Sequence, residues 1–235
     1  MNYLNKKLEY QTLLNLGLKD TEKKNFDKAI IFFKKAIKIK PKEIEAYINL
    51  GNILLIQKKY DQAIKIFEIV RKIDLNHTIT NNNLAYLYNE IKNYELAINI
   101  IDESLKINSK NFFLINLLGI IFVKIEKIDE GINQFINSIN IKNDFIPSYI
   151  NLLGILEKTN KIDLFKQYLD KAKNYCSFDP MIILFESIYY FRKKNFEKSI
   201  QILSEKKFQK EIKNHQEFLI KYHDILGKNF DKINK

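Results

Sequence analysis

One spacing constrains this chain more than any other property. Steps of 34 residues from Phe26 land on Tyr60, Tyr94, Ile128, Ile162, Phe196 and Phe230, every one large and apolar. The residue that follows is always acidic: Asp27, Asp61, Glu95, Asp129, Asp163, Glu197 and Asp231. The residue before is always polar: Asn25, Lys59, Asn93, Lys127, Lys161, Asn195 and Asn229. A polar residue, then a large apolar one, then an acid reads as a turn that opens a helix. Asparagine there suits an N-cap, and an acid in the first turn faces the positive end of the helix dipole.

Apolar residues continue through each unit at helical spacing, as in Ala29/Phe33, Ala63/Phe67, Gly131/Phe135 and Ser199/Leu203. Upstream lie LLNLG at Leu13–Gly17, YINLG at Tyr47–Gly51, INLLG at Ile115–Gly119 and INLLG again at Ile150–Gly154. The i, i+3, i+4, i+7 pattern predicts two amphipathic helices per unit, A and B. Matching these phrases letter by letter puts Gly17, Gly51, Gly119 and Gly154 at one helix-A position. It also gives the fifth unit one extra residue before helix A and one fewer in its turn. Glycine inside a helix costs about 1 kcal/mol relative to alanine, so its recurrence predicts helices too close for a side chain. All three prolines, Pro41, Pro147 and Pro180, fall between units, where a break is tolerated.

A 34-residue helix–turn–helix unit of this pattern resembles the tetratricopeptide repeat (TPR) over nearly the whole chain. Gly17, Ala29, Phe33, Ala36 and Pro41 carry the likeness best. The family's frequent helix-A tryptophan is absent, and Ser187 replaces the glycine of the sixth unit. The resemblance implies an all-α, right-handed α-solenoid of six units and a partial seventh or capping helix. The units expected are 10–43, 44–77, 78–111, 112–145, 146–179, 180–213 and 214–235, in a single domain over 1–235. Polar Glu217, Lys221 and Asp224 at core positions predict that 214–227 is a solvating cap.

Composition removes several function classes. The only cysteine, Cys176, excludes a disulfide framework and fits a reducing compartment. His77, His215 and His223 show no metal-ligand spacing, and no glycine-rich phosphate loop is present. No catalytic residue, cofactor or metal is expected, and the chain is read as non-enzymatic. Its start, MNYLNKKLEY, lacks the apolar run of a signal peptide. The most apolar stretch, Phe112–Val123, is shorter than the ~18 residues of a membrane span. A cytoplasmic protein is expected. The net charge of +11 divides into +6 for residues 1–43, −1 for 44–191 and +6 for 192–235, so no basic stripe runs along the middle.

Surfaces remain. With position 1 of helix A at Tyr10, positions 4, 7, 8 and 11 face the core and positions 2, 6, 9 and 13 the opposite side. In TPR solenoids that side lines the concave groove. It carries Glu22, Glu45, Glu90, Asn52 and Tyr86, and a period-34 row of Asn15, Asn49 and Asn83. A primary amide can donate to a carbonyl and accept from an N–H, so the row suits an extended peptide's backbone. The resemblance points the same way, since asparagines at this position hold peptide backbones in TPR superhelices. From the fourth unit on, the groove turns apolar at Phe113, Leu117, Ile120, Leu152, Ile155, Phe185 and Ile188. Three coverings are open: a partner's amphipathic helix, a second copy of the chain, or a tight inner turn of the superhelix. Three glutamates against Lys124 and Arg192 argue against nucleic acid. The chaperone-tail clamp of some TPR proteins is excluded because its basic positions hold Leu14, Ile48, Asn82 and Asn116. The function expected is a protein–protein interaction scaffold for a neutral-to-basic segment. The alternative is the substrate-recognition region of a larger transferase, glycosyltransferase- or sulfotransferase-like.

Overall fold

The computed structural model describes residues 3–177 and 179–204, together with Asp224 and Gly227. Apart from those last two residues, the expected cap and seventh unit, with His215 and His223, lie outside the described residues, as does the Cys176 side chain. The described residues form twelve α-helices and no strand. By contacts the chain divides into two compact units, Met1–Leu117 and Leu118–Lys235. The first contains α1 (Tyr3–Glu22), α2 (Phe26–Ile39), α3 (Ile44–Ile56), α4 (Tyr60–Ile73), α5 (Thr78–Glu90) and α6 (Tyr94–Ile107). The second contains α8 (Ile128–Ile141), α9 (Ile146–Lys158), α10 (Ile162–Cys176), α11 (Pro180–Arg192) and α12 (Phe196–Ser204), and α7 (Phe112–Lys124) includes the boundary. Odd-numbered helices are the A helices and even-numbered ones the B helices.

The A helices from α3 onward begin at 34-residue steps, as do all the B helices. The extra residue expected before the fifth A helix is therefore not there. In this frame position 8 of the A helix, counted from Tyr10 in the first, is Gly17, Gly51, Ala85, Gly119, Leu153 or Ser187. Sixteen residues later the B helix presents Phe33, Phe67, Ile101, Phe135, Leu169 or Leu203. A Cβ built on Gly51 would lie 2.6 Å from Phe67 Cζ, and one on Gly119 2.7 Å from Phe135 Cε1. Glycine stands where the facing residue is phenylalanine, and larger residues stand where it is leucine or isoleucine. Gly154 is one place out of phase, and its added Cβ would meet nothing nearer than Phe185 Cζ at 3.9 Å. Its grouping with the other three glycines is corrected accordingly.

The sixth unit solves the same crossing with hydroxyls. The Ser187 and Ser199 hydroxyls lie 2.8 Å apart, and Ser199 Oγ donates to the Ser187 carbonyl at 3.0 Å. Ser148 Oγ likewise donates to Ser138 Oγ at 2.7 Å. All four serines are buried, and their mutual bonds remove the penalty of burying them.

The A-to-B turns share one geometry. In the second unit of the repeat, the Lys59 N–H donates to the Leu54 carbonyl and the Lys58 N–H to the Leu55 carbonyl, both at 2.9 Å. This is a Schellman closure, which requires a left-handed residue at its turn position. That residue is Lys24, Lys58, Lys92, Glu126, Asn160 or Lys194, with φ between 56° and 65° and no glycine among them. Asn93 and Asn195 cap the helix that follows, through the N–H groups of Leu96 and Lys198. Asn25 departs from the expected cap and donates to Asp20 Oδ1 at 3.4 Å instead. His77, Asn111 and Asp179 cap A helices, so His77 has a local structural role.

Two outcomes follow for stability. Gly51→Ala should lower the unfolding free energy by about 1–3 kcal/mol through overpacking, with most of the loss restored by Phe67→Leu in the double variant. Gly154→Ala should cost nothing, and equal losses at both glycines in chemical denaturation would contradict the packing account. Lys58→Gly should raise stability by about 1 kcal/mol by relieving the left-handed strain, and a decrease in the denaturation midpoint would refute that.

Candidate functional site

In the first unit, α1, α3 and α5 expose the face bearing positions 2, 6, 9 and 13. Asn15, Glu22, Glu45 and Glu90 are exposed, and Asn49, Asn52, Asn83 and Tyr86 are half-buried. Position 9 of one unit meets position 6 of the next: Asn83 Nδ2 donates to Asn52 Oδ1 at 3.0 Å. Each amide uses one group in that bond, leaving the Asn52 amino group and the Asn83 carbonyl oxygen. Asn49 is turned onto its own helix, where Nδ2 donates to the Glu45 carbonyl at 2.8 Å. Asn15 Oδ1 accepts from Gln11 Nε2 at 3.3 Å. The asparagines expected to act alike thus differ, and one cross-helix pair is preformed.

Three adjacent asparagines in α5 illustrate how position decides role. Asn81 Nδ2 donates to the Leu75 carbonyl at 2.9 Å, closing the preceding turn. Asn82 Oδ1 accepts from Asn111 Nδ2 at 2.9 Å. Only Asn83 reaches the exposed face. Beside it, the Tyr86 hydroxyl bonds to the Glu90 carboxylate, and the phenol pKa is raised, first by burial and then by that negative charge. Near neutral pH Tyr86 is therefore a protonated donor held on Glu90.

The apolar row expected to receive a partner is largely interior. Leu117, Leu152, Ile155, Phe185 and Ile188 are only 3, 0, 8, 1 and 5 % exposed, while Phe113 and Ile120 are half-buried. Leu152 and Ile155 are core residues because α9 begins at Ile146, which places them at positions 7 and 10. Phe185 does occupy position 6, but it packs edge-on against Phe165 with ring centroids 6.0 Å apart. The chain's own helices largely cover these five residues, which corrects the expected docking face; of them, Ile155 still lines a cleft together with half-buried Ile120. The true positions 6 and 9 of α9 are Asn151 and Gly154. The second INLLG phrase concealed them, because it matches the first at 35 residues and the helices repeat at 34.

The second unit has a cleft of about 280 Å³ on this face of α9, lined by Ile120, Val123, Lys124, Phe135, Ile150, Asn151, Gly154, Ile155 and Lys158. Among the described residues, no three His, Cys, Asp or Glu side chains converge as metal ligands. No described helix is long and apolar enough to cross a membrane.

Models of the tetratricopeptide-repeat family match residues 10–43, 32–65 and 80–111. No curated protein matches the sequence. Among solved structures, PilF of Pseudomonas aeruginosa is 15% identical, with a TM-score of 0.74 over 95% of this chain and 99% of its own. A tetratricopeptide repeat protein of Parabacteroides merdae is 15% identical, with a TM-score of 0.68 over 96% and 93%. YrrB, described as a TPR protein with an unusual peptide-binding site, is 17% identical, with a TM-score of 0.55 over 82% and 96%. At these identities the likeness is one of fold. The family models and these structures together show tetratricopeptide repeats within residues 10–65 and 80–111 and a fold like that of tetratricopeptide-repeat proteins.

Proposed function

We propose that the chain is a non-catalytic cytoplasmic scaffold whose first unit holds an extended, neutral-to-basic peptide segment by its main chain. That 1–235 forms one solenoid domain is part of this proposal. The observation that carries it is the Asn52–Asn83 pair. Its unused donor and acceptor match the C=O and N–H of a peptide unit, and they read no side chain. Asn15 and Asn49 extend the row, with Asn49 offering chiefly its oxygen because its amino group is bound within α3.

Charge on the same face supports the basic preference. Glu22 and Glu90 are the last residues of α1 and α5, where the negative end of the helix dipole disfavours a carboxylate by about 0.3–1 kcal/mol. Glu90 accepts locally from Asn89 Nδ2 and the Tyr86 hydroxyl, but helix-end electrostatics gives no reason for Glu22, and a cationic ligand would suit both. The same carboxylates repel nucleic acid. A similar fold lends general support, since YrrB is described as having an unusual peptide-binding site.

The test is binding of an immobilised peptide library by the wild-type chain and by Asn52→Ala/Asn83→Ala. Two hydrogen bonds of about 1 kcal/mol each correspond to a roughly 10- to 30-fold loss of affinity. Asn49→Ala should lose less. Undiminished binding by a double variant with an unchanged melting temperature would remove the amide pair from the account.

A further inference from the structure

The cleft of the second unit is chemically unlike the asparagine face of the first. Its walls are Ile120 and Val123 of α7 and Ile150 and Ile155 of α9, and at Gly154 the absence of a side chain keeps it open. Helix packing does not require glycine at that place, in contrast to Gly51 and Gly119. Lys124 and Lys158 stand at the rim, both exposed, and no carboxylate is among the lining residues. These lysines occupy position 13, the last residue of α7 and α9. A cation suits a helix C-terminus, yet α1 and α5 end in Glu22 and Glu90 at the same position. Helix-end electrostatics therefore does not dictate the residue, and the sign of the rim is a property of the surface.

At about 280 Å³ the cleft falls just below the ~300–1,000 Å³ usual for small-molecule and cofactor sites. It is open rather than enclosed and has room for one large side chain. We propose that it receives a single large aliphatic side chain of a partner peptide in which an acidic residue lies next to that side chain. The apolar group enters over Gly154 between Ile120 and Ile150, and the carboxylate meets Lys158 and Lys124. This deepens the reading of the chain as a peptide scaffold but uses none of the asparagines of the first unit, so the two can fail separately.

The full chain should be titrated by fluorescence anisotropy against three dodecapeptide sets: a central Leu between glutamates, a central Leu between lysines, and a central Ala between glutamates. The Glu-Leu-Glu set should bind at least tenfold more tightly than either other set. Gly154→Leu, which fills the cleft, should abolish the preference for Leu over Ala. Lys158→Glu, at an exposed position, should abolish the preference for glutamate flanks. Asn52→Ala/Asn83→Ala should leave both preferences intact. Equal binding of all three sets would overturn the proposal, as would a Leu preference that persists in a folded Gly154→Leu. If that variant does not fold, a glutamate preference retained by Lys158→Glu overturns it instead. A wild-type dimer that becomes monomeric in Gly154→Leu by sedimentation would make a second copy the occupant, also against the proposal.

Discussion

An A helix can approach its B helix only as closely as the residue at its eighth position and the residue sixteen places later allow. Where the B helix presents Phe33, Phe67 or Phe135, the ring fills the space a Cβ would need, and Gly17, Gly51 or Gly119 stands opposite. Where it presents Ile101, Leu169 or Leu203, the A helix carries Ala85, Leu153 or Ser187. The sum of the two sizes is roughly conserved in five of the six pairs, and Leu153 with Leu169 is the larger exception. From the geometry of the helix pair follow the 34-residue helix starts, the Schellman turns and the orientation of positions 2, 6, 9 and 13.

Much of this was legible in the sequence because it is periodic. The large apolar residue and the acid after it fix each B-helix start, and the spacing between them fixes the unit. What was not legible is aperiodic or depends on neighbours. The second INLLG phrase suggested a shifted frame, and only the helix start at Ile146 shows that Gly154 left the packing position while Leu153 took it. Leu152 and Ile155 then move from the expected docking face into the core. The left-handed turn residues carry no signal, since five of the six are lysine or glutamate where glycine is the usual choice. The asparagine row was visible as letters, but its division of labour was not. Asn49 bonds within its helix and Asn83 across to the next, a difference set by which neighbour lies within reach.

The two units present different chemistry on corresponding A-helix positions. The first offers amides and terminal glutamates, the second an apolar cleft with terminal lysines. In the first, Tyr86 is tied to Glu90 with its pKa raised, away from the neutral range. Such surfaces suit recognition of a segment by its main chain in one place and by one anchored side chain in another. A repeat fold permits this because each helix pair is stabilised by its own A–B contact and its neighbours, which frees the remaining positions to vary.

Backbone recognition is the central claim, and N-methylation of a bound peptide tests it most directly. A bound dodecapeptide with a neutral or basic sequence should be N-methylated at each main-chain amide in turn and its affinity measured by calorimetry. Methylation at one or two central amides should weaken binding about tenfold or more, the value of a charge-free hydrogen bond lost together with its desolvated partner. It should have little further effect on Asn52→Ala/Asn83→Ala. Affinity indifferent to methylation at every amide would show that side chains alone carry recognition and would contradict the account.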